Sequence, residues 1–170
     1  MALLPILTYP DPILKSVAQP VDAVTDEIRA LVEDMAETMY AAPGVGLAAN
    51  QIGVLKRIFV IDIADEDEPS DLKVFINPQI IEKDGEVVFS EGCLSFPGAS
   101  EEIKRAATVK VKALDAQGNP FELEADGLLA IAIQHENDHL DGVLMIDKVG
   151  ALKKRKISRQ VQKAVLEARS

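Results

Sequence analysis

The residues best suited to chemistry lie in one five-residue window, His135-Glu136-Asn137-Asp138-His139. On a helix, positions i and i+4 lie one turn apart on the same face, so both imidazoles can reach one metal ion. Glu136 lies about 100° further round, where it can act on a metal-bound water without being a ligand. The chain has two histidines, and both fall in this window. The sequence therefore predicts a metal site on a helix.

A catalytic metal ion needs a third protein ligand and one open position. Six residues after His139, where metallopeptidases of the metzincin type carry a third histidine, this chain has Met145. The one glutamate after His139 is Glu167, in a basic tail, and the aspartates nearby match no known ligand spacing. The remaining candidate is Cys93, which follows a predicted strand at a Gly turn. A lone cysteine also packs readily as a small core residue, so Cys93 has two interpretations.

A third segment, Gly44-Val45-Gly46-Leu47-Ala48-Ala49-Asn50-Gln51, is rich in small residues. It lacks the Gly-Lys-Ser/Thr sequence of a phosphate-binding loop. Its paired glycines would let another backbone approach closely, and Gln51 offers an amide donor. On its own the segment is weak evidence for any function.

The elements that must position these residues indicate an α+β fold. A helix is predicted over Asp26–Ala41 with Thr25 as N-cap, and a short one over Asp11–Val17. A second long helix should run from its N-cap Asp126 to Leu140, and its first half is apolar on all sides, which predicts a central, buried helix that carries the His-Glu-x-x-His motif. The predicted strands are Arg57–Ile63, Lys73–Asn77, Glu86–Phe89, Thr108–Leu114 and Pro120–Glu124. Strand and helix do not alternate along the chain, so we expect antiparallel or mixed sheets around that helix.

The composition sets the broad class of the protein. The 170 residues carry a formal net charge of −10 and are 48% apolar, values typical of one folded domain. No apolar run approaches the roughly 20 residues of a membrane span, and the N-terminus does not resemble a signal peptide. A single cysteine suits a reducing cytosol, so we expect a cytoplasmic protein. The acidic body argues against nonspecific nucleic-acid binding, so we expect no DNA partner, and the short apolar runs predict no membrane partner.

The last twenty residues differ in charge from the rest. Residues 151–170 hold seven Lys/Arg and one Glu, a charge of +6, which leaves −16 on residues 1–150. Ile157, Val161, Ala164 and Val165 recur at helical spacing, so we expect a basic amphipathic helix. One interpretation is a terminal helix docked on the domain of residues 1–150. The other is an adaptor for an anionic surface such as ribosomal RNA.

The three segments together resemble the three motifs of the peptide deformylase family. Residues 44–51 are similar to its first motif (G-x-G-x-A-A-x-Q), Glu91-Gly92-Cys93-Leu94-Ser95 to its second, and Gln134-His135-Glu136-Asn137-Asp138-His139 to its third. Their order and separations also fit. The resemblance covers residues 1–150 as the catalytic domain and is greatest to the bacterial type I form, which has a C-terminal helix.

The resemblance implies removal of the formyl group from N-formylmethionine on nascent polypeptides, with release of formate. It implies that Cys93, His135 and His139 hold the metal ion and that metal-bound hydroxide attacks the formyl carbon. Glu136 would serve as general base and then general acid. The Leu94 backbone N–H and the Gln51 amide would stabilise the oxyanion.

The resemblance also implies how the peptide binds. The peptide would add as a strand beside Val45 and Gly46, with Gly92 opposite. The methionine side chain would enter an apolar pocket whose walls are Val45, Phe89, Leu128, Ile131 and Ala132, although core packing explains each of these equally well from sequence alone. Ser100-Glu101-Glu102 lies where some relatives carry a basic residue, so we expect no cationic contact with the far end of the peptide.

The identity of the metal does not follow from the donor types. Cysteine with two histidines suits zinc, and the usual order of divalent affinities favours zinc over ferrous iron. The resemblance implies Fe²⁺ as the native ion, with Zn²⁺ or Ni²⁺ as substitutes in preparations.

Two other functions use the same residues. A zinc endopeptidase would use the helix motif to cleave internal peptide bonds and would not need Cys93. A non-catalytic protein would use the metal for structure and residues 151–170 for docking on the ribosome.

Overall fold

A five-stranded antiparallel sheet and a separate two-stranded hairpin enclose one buried helix in the computed structural model, which describes residues 3–65 and 67–169. The helices are α1 (Asp26–Ala41), α2 (Gly127–Leu140) and α3 (Ala151–Arg169). The strands are β1 (Gly46–Ala48), β2 (Ile58–Ile61), β3 (Lys73–Asp84), β4 (Val87–Gly92), β5 (Ser100–Arg105), β6 (Thr108–Leu114) and β7 (Pro120–Asp126). Single 3₁₀ turns lie at Pro12–Lys15, Ala49–Ile52 and Met145–Lys148.

The large sheet has the strand order β1-β2-β3-β6-β7, and β4 pairs with β5 in the hairpin. All of these pairs are antiparallel. Among the described residues β1 pairs only with β2, and β4 pairs only with β5, so each keeps one strand edge without a partner. The α+β prediction is confirmed.

Helix α2 is the central element, as its apolar first half predicts. Ala130 and Ile133 are fully buried and pack in one cluster with Phe59, Phe75 and Val111 of the large sheet. Asp126 is its N-cap residue, and the helix ends at Leu140. Gly142 follows at a φ of +73°, where an added methyl group would collide with the Lys15 carbonyl. The helix is therefore held along its length and closely packed just beyond its C-terminal end.

Helix α1 begins and ends where the sequence predicts. The Thr25 hydroxyl accepts a hydrogen bond from the Ile28 N–H and caps the first turn. Val32, Met35 and Met39 pack on the sheet residues Leu47, Ile58, Val60 and Ile76. This face of α1 supports the strands β1 and β2.

Two strands were not predicted, and some bounds were wrong. β1 has only three residues, too few to show an alternating pattern. β5 is largely charged, and its buried positions include Arg105 as well as Ile103. β3 extends to Asp84, well beyond the predicted Asn77, because its second half pairs with β6. The predicted helix over residues 11–17 is only the 3₁₀ turn Pro12–Lys15.

Helix α3 docks its apolar stripe on the rest of the chain. Ile157 and Val161 are buried in a cluster with Leu14, Phe96 and Met145. Most basic side chains of α3 point to solvent. No helix among the described residues is long and apolar enough to cross a membrane.

Candidate metal centre

Three potential ligand atoms meet at the C-terminal half of α2. Cys93 Sγ lies 3.3 Å from His139 Nε2, which lies 3.3 Å from His135 Nε2. The two imidazoles come from one helix face, as the i, i+4 spacing predicts, and the thiol comes from the residue directly after β4. All three atoms lie within 4.8 Å of one another.

These spacings fit a tetrahedral metal ion. Metal–nitrogen bonds of about 2.05 Å and a metal–sulfur bond of about 2.3 Å place tetrahedral ligand atoms about 3.3–3.6 Å apart. The donor set of one thiolate and two imidazoles is typical of Zn²⁺ or Fe²⁺ rather than of Mg²⁺ or Ca²⁺, which prefer oxygen. The residues therefore fit the ion that the sequence predicts, with the fourth position left for a non-protein ligand.

A buried ion network orients His135. The His135 Nδ1–H donates to Glu91 Oε1 at 2.9 Å, which leaves Nε2 to face the other two ligands. Arg105 binds the same carboxylate with Nε and Nη2 at 2.7 and 2.9 Å, and Nη1 reaches Asp138 at 2.6 Å. The Arg105 and Glu91 side chains are only 3% and 4% exposed. The pair is therefore structural and close to the metal site.

The same contacts set the protonation of the site. Burial alone would raise the pKa of Glu91, but hydrogen bonds from Arg105 and His135 outweigh it and hold the pKa below its usual value. Burial alone would lower the pKa of His135, yet its hydrogen bonds to Cys93 and Glu91 raise the pKa well above the usual value. Burial and the neighbouring His135 hold the pKa of His139 well below its usual value.

The Glu136 carboxylate packs closely against the backbone of β1. Its side chain is buried, and burial raises its pKa to about 7. A methyl group added to Gly46 would lie 2.6 Å from Glu136 Oε2, so the backbone of β1 closes directly on this carboxylate. A carboxyl group that titrates near neutral pH can both accept and donate a proton there.

Gln51 faces the cysteine ligand. Its Oε1 accepts from the Ala48 N–H at 2.9 Å, which fixes the orientation of the carboxamide. Its Nε2 donates to Ser95 Oγ at 3.1 Å and lies 3.6 Å from Cys93 Sγ. The amide nitrogen thus lies between the buried Ser95 and the cysteine ligand.

A cavity of about 320 Å³ opens beside these groups, between residues 43–46 and residues 89–94. All seven positions predicted to contact the peptide line it: Val45, Gly46, Phe89, Gly92, Leu128, Ile131 and Ala132. Gln51, Cys93, Leu94, His135 and Glu136 line it as well. The structure therefore brings the predicted substrate and catalytic residues into one cavity beside His139.

The cavity wall holds no cation from residues 100–102. Glu101 instead binds Lys153 and Lys156 of α3 at 3.2 and 3.8 Å, on the far side of the hairpin.

The sequence compares closely with known proteins. A model of the polypeptide deformylase family matches residues 3–155. The chain belongs to this family. A peptide deformylase of Alkalilimnicola ehrlichii is 50% identical over 99% of this chain and 94% of its own length.

Solved structures of peptide deformylases have the same fold. The enzyme of Legionella pneumophila superposes with a TM-score of 0.94 at 45% identity, covering 99% of both chains. The enzyme of Ehrlichia chaffeensis, crystallised in complex with actinonin, superposes with a TM-score of 0.91 at 39% identity, covering 96% of this chain and 98% of the other. The family resemblance and the fold predicted from sequence are confirmed.

The sequence did not predict the network around His135 in this deformylase. Glu91 was part of a motif without a role, and Arg105 lay in a strand that was not predicted. Asp138, considered as a ligand from the sequence, binds Arg105 and Lys148 instead. Met145 is buried in the cluster beneath α3. The one usable signal was Glu91 itself, an acid inside a motif that otherwise holds small and apolar residues.

Proposed function

We propose that this enzyme removes the formyl group from N-formylmethionine at the start of nascent polypeptides and releases formate. The observation that carries the proposal is one cavity that lies beside a Cys-His-His donor set and is lined by the buried Glu136 and by two strand edges that have no partner among the described residues. Membership of the deformylase family supports the same reaction.

Cys93, His135 and His139 hold the metal cofactor in this proposal. A divalent ion bound there would polarise the formyl oxygen and would lower the pKa of water enough to supply hydroxide near neutral pH. We propose Fe²⁺ as the native ion, because the family resemblance implies iron and the mixed donor set accepts it. A thiolate beside ferrous iron should make the enzyme oxygen-sensitive. Metal analysis after anaerobic purification tests this choice, and zinc at full occupancy with full activity would contradict it.

Glu136 moves the proton. Its carboxylate accepts a proton from the attacking water and later donates it to the amine as the carbon–nitrogen bond breaks. Its pKa of about 7 makes both transfers accessible near neutral pH. Such a residue typically contributes about 10²–10⁴-fold in rate.

Leu94 and Gln51 stabilise the charge that develops on the formyl oxygen. The Leu94 N–H belongs to the residue directly after the cysteine ligand, and Gln51 Nε2 lies 3.6 Å from that cysteine. Both donors therefore lie beside the cysteine ligand and line the same cavity. Loss of one such donor typically costs about 10²–10³ in rate.

The peptide binds as an added strand. The free edge of β1 at Gly46 and the free edge of β4 at Gly92 border the same cavity. Backbone pairing along these edges accepts nascent chains of any sequence after the first residue. Phe89, Leu128 and Ile131 form the apolar surface that receives the methionine side chain.

The direct test is formate release from N-formyl-Met-Ala-Ser, with N-acetyl-Met-Ala-Ser as the matched control. We expect rapid release from the formyl peptide only. A Cys93→Ala variant separates this function from that of a zinc endopeptidase, because the proposal predicts loss of both metal and activity. Retention of metal and cleavage of internal bonds by that variant would contradict it.

We also propose that α3 contacts the ribosome and that the enzyme works in the cytoplasm, where nascent chains form. Lys154, Arg155, Arg159 and Lys163 are exposed on α3, and the surface they form is opposite in charge to RNA. Replacing these four by glutamate should abolish co-sedimentation with ribosomes while leaving activity on the tripeptide unchanged. If the amount of enzyme that sediments with ribosomes did not change with salt concentration, the proposed ribosome contact would be contradicted.

A further inference from the structure

The metal ligands come from two elements that are far apart in the chain. Cys93 follows β4 of the hairpin, and both histidines lie on α2. Metal–ligand bond lengths tolerate deviations of only about 0.2 Å. The β4–β5 hairpin must therefore be held against α2 with comparable accuracy, and the hydrogen bond between His135 and Glu91 is one contact that does so.

Gln134, the residue before the first histidine ligand, makes such a contact. Its carboxamide binds both backbone groups of one residue at the end of the hairpin: Oε1 accepts from the Ala106 N–H at 3.0 Å, and Nε2 donates to the Ala106 carbonyl at 2.9 Å. Nε2 also donates to the Ala130 carbonyl, one turn earlier on α2, at 3.0 Å. The side chain is buried, with 5% exposure, so these bonds are not exchanged for water.

Ala106 directly follows Arg105, the last residue of β5. Arg105 forms two hydrogen bonds with Glu91, the residue that also binds His135. Arg105 also binds Asp138, which lies one helical turn after Gln134 on α2. Two successive turns of α2 thus contact the end of β5. Gln134 binds the backbone of Ala106, and Asp138 forms an ion pair with Arg105.

We propose that Gln134 is a positioning residue for the metal centre. Its two hydrogen bonds to Ala106 set the distance between the hairpin and α2. At this distance Cys93 and the two histidines can bind one ion. Gln134 itself does not line the cavity. The inference rests on the metal role proposed above for these three ligands.

The test compares Gln134→Met with Gln162→Met. Methionine keeps the length and apolar stem of glutamine and removes every hydrogen bond of the carboxamide. Gln162 is exposed on α3 and provides the same substitution away from the site. We expect Gln134→Met to weaken metal affinity about 10–100-fold in competition with a chelator, as for other residues that orient metal ligands. The thiolate-to-metal absorption band of the Co²⁺-loaded protein should change in the same variant. Gln162→Met should match the wild type in both measurements.

A merely structural role gives a different result. Gln134→Met would then unfold at lower urea concentration but keep the wild-type metal affinity and Co²⁺ spectrum, and the inference would be overturned. If this variant does not fold, Gln134→Asn takes its place, because the shorter amide reaches only one of the two Ala106 groups. Metal affinity and spectrum are measured without substrate, so failure to release formate would overturn the proposed reaction and leave this comparison intact.

Discussion

The close approach of β1 to the catalytic carboxylate makes Gly46→Ala an informative perturbation. The added methyl group would lie 2.6 Å from Glu136 Oε2 and about 3 Å from the carbons behind it. The carboxylate must retreat by about 0.8 Å to reach an ordinary contact of 3.4 Å. The backbone groups of Gly46 that would pair with the peptide remain in place.

The expected magnitude follows from that displacement. A catalytic group misplaced by about 1 Å can cost about 10²-fold in rate, which corresponds to about 2.7 kcal/mol of activation free energy. Because the three atoms nearest to the added methyl group all belong to Glu136, metal affinity should remain unchanged. We therefore expect kcat to fall about 100-fold, with a much smaller change in KM.

The assay is formate release at several peptide concentrations, with metal content measured on the same samples. Gly150→Ala is the matched control, because a methyl group there meets no atom within 4 Å. Wild-type kcat in Gly46→Ala would refute the role given to the position of Glu136. Loss of metal from Gly46→Ala would show that the substitution acts by another route.

Three further predictions concern stability. Arg105→Met leaves two carboxylates without their buried cation and should lower the free energy of unfolding by about 3–5 kcal/mol, measured with urea. In metal-free protein the raised pKa of Glu136 means that the folded state binds an extra proton, so stability falls as pH rises from 4.5 to about 7. Glu136→Gln should remove this pH-dependent loss of stability, which amounts to about 3 kcal/mol. Equal urea midpoints for the wild type and Glu136→Gln at pH 8 would contradict the reasoning. Gly142→Ala forces a methyl group into a neighbouring carbonyl at a φ of +73° and should lower the melting temperature without changing kcat of the folded fraction.

Much of the fold follows from local sequence patterns. The Thr25 cap and the apolar face of α1 define that helix to the residue, because capping and periodicity act within a few turns. β6 alternates valine and alanine with lysine and is also predicted to the residue. The buried start of α2 marks the central helix for a similar reason.

Local sequence patterns did not predict strand β5 of the hairpin or the burial of Arg105. β5 places Glu101, Ile103 and Arg105 on one face, and Arg105 is buried because Glu91 and Asp138 neutralise it. No local rule predicts that a charged residue is buried, since the compensating charges come from residues 14 and 33 positions away. The ligand histidines were predictable from spacing, but the residues that orient them depend on these distant contacts.

Formate release from N-formyl-Met-Ala-Ser tests the central claim most directly, with anaerobically purified, iron-loaded protein beside Glu136→Ala. The account predicts rapid release by the wild type and loss of release in the variant, with the metal still bound in both. No release by wild-type protein with stoichiometric metal and an intact fold would contradict it.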